Sequence, residues 1–218
     1  MSESEINSLT AKQLVDILHS LPSYKHKILY YGPQPMAQLT AKLNGLHSIP
    51  STWATTPTPI KFDKIEQTEN RVFFTNYDMV QSEIYWYRKL ENFDTSKFAK
   101  VNLFNSYFGG GMGSVVFQTI REAKALAYST SAFVTSPDKK DGSFGFVGYV
   151  GSQADKHDDA IHAMNELINT MPLNPNAYSN AVGTLKKDIE TDRITKTSIL
   201  FTYLGLEKQG INYDFRKS

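Results

Sequence analysis

Two apolar stretches, 127–135 and 143–151, flank the segment PDKKDG (137–142), and this pairing constrains the fold more than any other feature of the sequence. Pro, Asp and Gly favour tight turns because they preset backbone dihedral angles or hydrogen-bond the local backbone. The second stretch has the two-residue period of a strand. Two strands joined by so short a turn pair in antiparallel fashion. The alternating residues are Phe144, Phe146 and Val150 against Val147 and Tyr149.

Other stretches extend this hairpin into a larger fold. The aromatic-rich segments RVFFTNY (71–77) and VQSEIYWYRK (80–89) predict a second pair of strands. Helical periodicity follows at 94–108 and 115–124, and the C-terminal third predicts three more helices. From residue 70 the predicted order is therefore β, β, α, α, β, β, α, α, α. Such an order predicts an α+β fold, an antiparallel sheet with helices packed on one face.

The N-terminal part has its own pattern. Thr10 and Gln13 form a capping box at the start of a first helix. The apolar run HKILYY (26–31) predicts a buried strand, and 35–43 predicts a short second helix. The segment 48–61 is rich in Pro, Ser and Thr, which is typical of a linker.

Composition excludes several function classes. The net charge is +1, so the chain carries no general electrostatic field for nucleic acid or a membrane surface. No apolar run approaches the length of a membrane span. The absence of cysteine excludes disulfides, thiolate metal sites and Cys nucleophiles. We expect a soluble protein, and the compartment stays open between cytoplasm and periplasm.

The histidines do not predict a zinc site. A helical zinc pair needs i, i+4 spacing to place both imidazoles on one face. His157 and His162 are five residues apart, which is a rotation of about 500° and leaves the rings diverging by roughly 140°. We therefore predict that this chain holds no metal.

The glycine cluster FGGGMGS (108–114) has two interpretations. A phosphate-binding loop would end in Gly-Lys-Ser/Thr, and this cluster has no lysine and lies between two helical segments. Nucleotide binding is therefore the weaker alternative. Glycine also lets a chain turn sharply and approach another backbone closely. The cluster is better interpreted as a loop that shapes a cleft, formed by Gly109, Gly110, Gly111 and Gly113.

The most informative segment is NSYFGGGMGSVVFQTIREAKALAYS (105–129). It resembles the C-terminal-half signature of the pitrilysin/insulinase family of zinc metallopeptidases, the inverzincins. That signature is a turn of small residues, a helix ending in Phe-x-x-x-(Ile/Leu)-Arg, and an apolar step ending in Gly/Ala-Tyr. The resemblance covers about residues 70–215. The matching residues here are Phe117, Ile120, Arg121, Leu126, Ala127 and Tyr128.

The resemblance implies a role and partners. In that family a first half carries zinc and the general base, and a second half without zinc helps to enclose the peptide. The resemblance implies that Arg121 and Tyr128 contact the substrate backbone and support the transition state. Zinc would lie in the other half, either in the same chain or in a separate subunit, and a dimer is one such assembly. This fragment alone would be inactive. The alternative is a catalytically dead module that binds peptides or partner proteins.

The resemblance also implies domain boundaries. Residues 1–47 would be the closing helix–strand–helix unit of the preceding subdomain, 48–69 a linker, and 70–218 the inactive peptidase-like domain. The domain would lack its last strand at the C-terminus, which would leave a sheet edge exposed. We expect the strand at 26–31, from the same or a neighbouring molecule, to cover that edge.

Overall fold

The computed structural model describes residues 2–60, 62 and 64–213. The chain divides into two compact units, Met1–Phe62 with Lys196–Leu200, and Asp63–Thr195 with Phe201–Ser218. Among the described residues, no helix has both the length and the apolar character that crossing a membrane requires.

A three-stranded antiparallel sheet lies in the second unit. Its strands are β1 (Gln81–Asn92), β2 (Ser129–Thr135) and β3 (Ser143–Gln153), arranged in the order β1-β3-β2. Val150 of β3 pairs with Ile84 of β1 on one side and with Thr130 of β2 on the other. The hairpin predicted around PDKKDG is therefore confirmed.

Helices cover one face of this sheet. The buried cluster contains residues of the strands and of the helices. Because side chains alternate along a strand, the strand residues of this cluster all lie on one face of the sheet, and the helices pack on that face. Tyr85 and Tyr87 point to the opposite face, where they are largely exposed. The predicted α+β architecture is confirmed. Core members include Ala132 and Val150 of the sheet and Phe108, Val116, Ile120 and Met164 of the helical layer, and the half-buried Phe146 packs against them.

After β1 the longer helices are α4 (Phe98–Phe108), a π-helix (Phe117–Ala123), α5 (His157–Thr170), α6 (Pro175–Thr191) and α7 (Ser198–Gln209). Capping side chains mark the start of two helical segments. Asp94 accepts a hydrogen bond from the Ser96 amide at the start of a short 3-10 turn that leads into α4. Hydrogen bonds from the Ser96 side chain and amide hold the pKa of Asp94 below its ordinary value. Asn174 accepts from the Ala177 amide to cap α6, whose first residue is a proline.

Besides a short 3-10 turn, the described residues 2–60 of the first unit form three α-helices. They are α1 (Glu3–Asn7), α2 (Ala11–Ser20) and α3 (Met36–Leu46). The capping box of Thr10 and Gln13 is confirmed at the start of α2. None of the residues described between 2 and 60 is buried.

Two predicted strands are wrong. The segments 26–31 and 71–77 are irregular, and their apolar side chains are exposed, Val72 to 95%. An apolar run predicts a strand only if a neighbouring strand supplies hydrogen bonds, and neither segment pairs with the sheet. The expectation that 26–31 of the same molecule covers a sheet edge is therefore wrong as well, and coverage by a neighbouring molecule stays a prediction. The C-terminal residues 214–218, to which the prediction of a missing last strand refers, lie outside the described residues.

Candidate functional site

The glycine loop packs against β2 through its backbone. A Cβ at Gly109 would lie 2.0 Å from the Ala132 carbonyl oxygen and 2.3 Å from its amide nitrogen, so no other residue fits there without movement. A Cβ at Gly110 would lie 2.6 Å from the Asn105 carbonyl oxygen. Gly111 has a φ of +93°, which favours glycine. The close approach accounts for Gly109 without any phosphate ligand.

A buried serine connects this loop to the next helix. Ser114 Oγ donates to the Gly111 carbonyl at 2.8 Å and accepts from the Phe117 amide at 3.4 Å. Because Ser114 is 1% exposed, these bonds satisfy a hydroxyl that would otherwise be costly to bury. The serine therefore fixes where the helix begins, as the sequence predicts.

The helix that follows is wider than an α-helix. From Phe117 to Ala123 it has π geometry, and the Lys124 amide donates to the Thr119 carbonyl at 3.1 Å. Single-turn π-helices are rare and frequently occur at functional sites. Here the π-turn directs Ile120 into the core and leaves Arg121 at the surface.

Arg121 and Tyr128 lie together, as the resemblance implied. The guanidinium carbon of Arg121 is 5.8 Å from the centre of the Tyr128 ring and 4.8 Å from that of Phe117. Both distances are within the range of cation–π attraction. The Glu122 carboxylate is 3.7 Å from Arg121 Nε, a surface contact that contributes little stability. The arginine is therefore held between two rings with its side chain still 42% exposed.

Tyr128 is fixed by its backbone and open at its ring. Its amide donates to the Gly151 carbonyl at 3.0 Å, immediately before β2 begins. The residue is 75% exposed, and no group in the described part of the chain hydrogen-bonds its hydroxyl. A rigidly placed tyrosine with a free hydroxyl can donate a hydrogen bond to a ligand.

The uncovered face of the sheet carries tyrosines that the sequence analysis did not assign to a site. The Tyr85 and Tyr149 rings, paired across β1 and β3, have centres 5.0 Å apart. The sequence contained a signal for this face. Side chains alternate along both strands, so these rings lie on the face of the sheet that does not carry the core side chains.

Tyr149 is held in its protonated form at neutral pH. Its hydroxyl lies 3.1 Å from Ser129 Oγ. The Ser129 hydrogen bond lowers the pKa of Tyr149, but the hydrogen bond and charge of Glu83, together with burial, raise it further, so the net pKa lies above 10.0. Its hydroxyl is thus a hydrogen-bond donor or acceptor, never a phenolate, at physiological pH.

Within the described ranges, no group of three or more His, Asp or Glu side chains is arranged to hold a metal ion. His162 Nδ1 lies 2.8 Å from the Asp158 carbonyl, on the same helix. His157 Nδ1 is buried, and no described residue hydrogen-bonds it. The ring nitrogens of the two histidines therefore have different surroundings.

A family model described as peptidase M16 inactive domain matches residues 25–176. A structure of a peptidase M16 inactive domain from Pseudomonas fluorescens is 14% identical, with a TM-score of 0.54 over 83% of this chain and 42% of that one. A protease from Helicobacter pylori is 15% identical, with a TM-score of 0.63 over 96% and 52%. A conserved protein from Enterococcus faecalis V583 is 15% identical, with a TM-score of 0.63 over 84% and 43%.

At these identities the structural likeness shows a shared fold. The chain spans about half the length of the solved structures it resembles. No curated protein sequence matches it.

Proposed function

Because the chain belongs to the family of peptidase M16 inactive domains, we propose that it is the non-catalytic half of a zinc metalloendopeptidase. In this proposal a separate zinc-bearing half hydrolyses the peptide, and the present chain supplies part of the cleft wall and contacts to the substrate backbone. The predicted boundaries at residues 47 and 69 belong to the same proposal. The chain alone would cleave nothing.

The observation that carries the proposal is the exposed pair formed by Arg121 and Tyr128. The Tyr128 hydroxyl would donate to the carbonyl oxygen of the scissile bond as that oxygen gains negative charge. Arg121 presents a fork of donors that suits peptide carbonyls, and its position over the Tyr128 ring would also orient the tyrosine. Hydrogen bonds to this oxygen would strengthen as its charge develops, which favours the transition state over the substrate.

The glycine loop would form the adjoining wall. Gly109 packs directly against the backbone of β2, so a shift of the loop would also disturb the sheet. Met112, between Gly111 and Gly113, is 74% exposed. An exposed methionine on a fixed loop can pack against varied apolar side chains of a peptide.

Zinc belongs to the other half in this proposal. The metal would activate a water molecule and polarise the carbonyl there. The described residues of this chain provide no set of ligands for such a centre, and each role assigned to Arg121 and Tyr128 depends only on hydrogen bonding and charge.

A second candidate is a module that binds peptides or partner proteins without any cleavage. The exposed tyrosines of the uncovered sheet face favour it, because Tyr combines a large apolar ring with a polar tip and is enriched in binding surfaces. In that case Arg121 and Tyr128 would affect binding but no chemical step.

The test combines the full 218-residue chain with the zinc-bearing half and a quenched fluorescent peptide, with and without a chelator. We expect Tyr128→Phe and Arg121→Ala to lower kcat about a hundredfold, the usual effect of losing one donor to a developing oxyanion. Tyr203→Phe, which removes the hydroxyl of an exposed tyrosine in α7, is the matched control and should leave kcat unchanged.

Unchanged kcat in both site variants would contradict the assignment. Peptide binding that depends on Tyr128, without chelator-sensitive cleavage in the reconstituted pair, would favour the binding module instead.

A further inference from the structure

Two histidines from distant parts of the first unit point the same ring nitrogen at each other. His26 Nε2 lies 2.8 Å from His47 Nε2, although the residues are 21 positions apart. The rings are nearly perpendicular, at 85°, with centres 4.8 Å apart. His26 is exposed and His47 is half-buried, so the space beside the two nitrogens is open to solvent.

The backbone fixes the tautomer of His26. Its Nδ1 lies 2.6 Å from the Tyr24 carbonyl oxygen, which can only accept a hydrogen bond. Nδ1 therefore carries the proton, and Nε2 of the neutral ring carries a lone pair directed toward His47. Histidine ligands of metal ions are oriented in this way, by donating the other ring nitrogen to a carbonyl or carboxylate.

A second side chain holds the His26 ring. Trp53 packs against it edge to face, with centres 5.7 Å apart and an angle of 87°. The Ala54 amide donates to the Ser23 carbonyl at 2.9 Å and keeps the tryptophan segment beside the histidine segment. His26 is thus pre-positioned, which reduces the entropy that a ligand must restrict on binding.

We propose that His26 and His47 bind one divalent first-row transition-metal ion, for which Zn²⁺ is the probe, through their Nε2 atoms, with water as the remaining ligands. Imidazole suits zinc, nickel and copper, whereas calcium and magnesium prefer oxygen. In the free protein neutral His47 donates its Nε2 proton to His26. On binding the ion, His47 changes to the tautomer with its proton on Nδ1, so that both Nε2 lone pairs face the metal. Tetrahedral zinc with Zn–N bonds of about 2.0–2.1 Å separates two ligand nitrogens by about 3.3 Å. The rings therefore need to open by only about 0.5 Å.

The ion would stabilise a unit that lacks a core. None of the residues described between 2 and 60 is buried, so burial contributes little to holding these segments together. A ligand that binds the folded but not the unfolded chain raises stability with its concentration. The proposed ion is separate from the catalytic zinc, which belongs to the other half in the proposed function. Sequence spacing conceals this pair because the two histidines lie on separate segments and not on one helix.

The experiment titrates ZnCl₂ into the full chain by calorimetry and follows the histidine rings by NMR. We expect one zinc ion per chain and shifts of the His26 and His47 rings together. His26→Gln and His47→Gln should each weaken binding about tenfold or more, since even outer-shell changes have effects of this size. Zinc should also raise the melting temperature of the wild type but not of the double variant.

His162→Gln is the matched control. Like His26, His162 has its Nδ1 against a backbone carbonyl, that of Asp158 at 2.8 Å. The nearest histidine in sequence, His157, has a buried Nδ1 that no described residue hydrogen-bonds. Its loss should leave zinc affinity unchanged. The proposal is overturned if the wild type shows no saturable heat at millimolar zinc, or if both site variants bind as tightly as the wild type. If a variant unfolds, the ring shifts of the wild type decide: joint movement of His26 and His47 supports the site, and movement of other rings alone overturns it.

Discussion

At the scale of single residues, the glycines of FGGGMGS differ in how closely other atoms approach them. Gly109 abuts the backbone of Ala132, whereas a Cβ at Gly113 would meet nothing within 4 Å. A contact with backbone cannot be relieved by rotating a side chain, so packing requires glycine at 109, and also at 110 beside the Asn105 carbonyl, but not at 113. Arg121 and Tyr128 differ from Gly109 in being exposed to solvent, although each makes a defined contact with the rest of the chain.

Gly109→Ala should destabilise the chain by about 3 kcal/mol, the upper end of the usual cost of overpacking, because the added methyl group must displace strand β2. Gly113→Ala is the matched control. Its free energy of unfolding should change by less than about 1 kcal/mol, and in the stabilising direction, since alanine restricts the unfolded chain. Urea denaturation followed by circular dichroism measures both. Equal effects of the two substitutions would show that the loop does not pack on β2 as described.

At the scale of elements, the main helices were predictable from sequence, but two segments that the sequence predicts as strands are irregular in the structure. Helix α2 follows from its capping box, because the bonds that define a helix end lie within a few residues. The segments 26–31 and 71–77 have apolar runs typical of strands, but pairing depends on distant partners that no local pattern reveals. A helix was predicted over 115–124, but not the π geometry at Phe117–Ala123, because apolar spacing over so few residues does not distinguish i→i+5 from i→i+4 bonding.

The candidate site was predictable in part. The two residues that the family resemblance implied, Arg121 and Tyr128, lie in contact range. Their seven-residue separation does not itself place them together, because the chain between them widens into a π-helix and then turns at Ala125, with φ of +49°. The Tyr85–Tyr149 contact required knowledge of strand register, which the sequence does not contain.

Tyr107 links two elements through one hydroxyl. It donates to the Pro172 carbonyl at 2.5 Å and accepts from the Asn174 amide at 3.0 Å, so α4 holds the turn that leads into α6. Because Tyr107 is 8% exposed, Tyr107→Phe leaves two backbone groups without this partner and should cost about 1–3 kcal/mol. Thermal denaturation measures the loss.

Tyr178→Phe is the control for this prediction. The Tyr178 ring packs against Tyr107, with centres 6.4 Å apart, but the residue is 53% exposed. Removing its hydroxyl should change stability by no more than about 0.5 kcal/mol. A Tyr107→Phe variant as stable as this control would mean that the hydroxyl does not hold the turn.

At the scale of the whole molecule, the two units differ in how they are held. The second contains a sheet with a buried helical layer, and it carries the site proposed for peptide contacts. In the first, the apolar side chains of α2 are about half exposed, and ordered contacts such as that of His26 with His47 are polar. The predicted resemblance to the C-terminal half of the pitrilysin/insulinase peptidases is confirmed by the family match over 25–176, which includes parts of both units.

This contrast predicts a gradient of hydrogen exchange along the chain. Strand β3 is bonded to β1 and β2 on its two edges, and its amides should exchange only when the second unit unfolds as a whole. Helix α2 contains no buried residue, so its amides should open locally. At pH 7 with a chelator present, β3 should exchange at least about a thousandfold more slowly than α2, a ratio that corresponds to about 4 kcal/mol and lies within typical domain stability. The chelator removes any metal effect at His26. Mass spectrometry of peptic peptides resolves the two segments. Equal protection of β3 and α2 would contradict the prediction, because no described residue between 2 and 60 is buried.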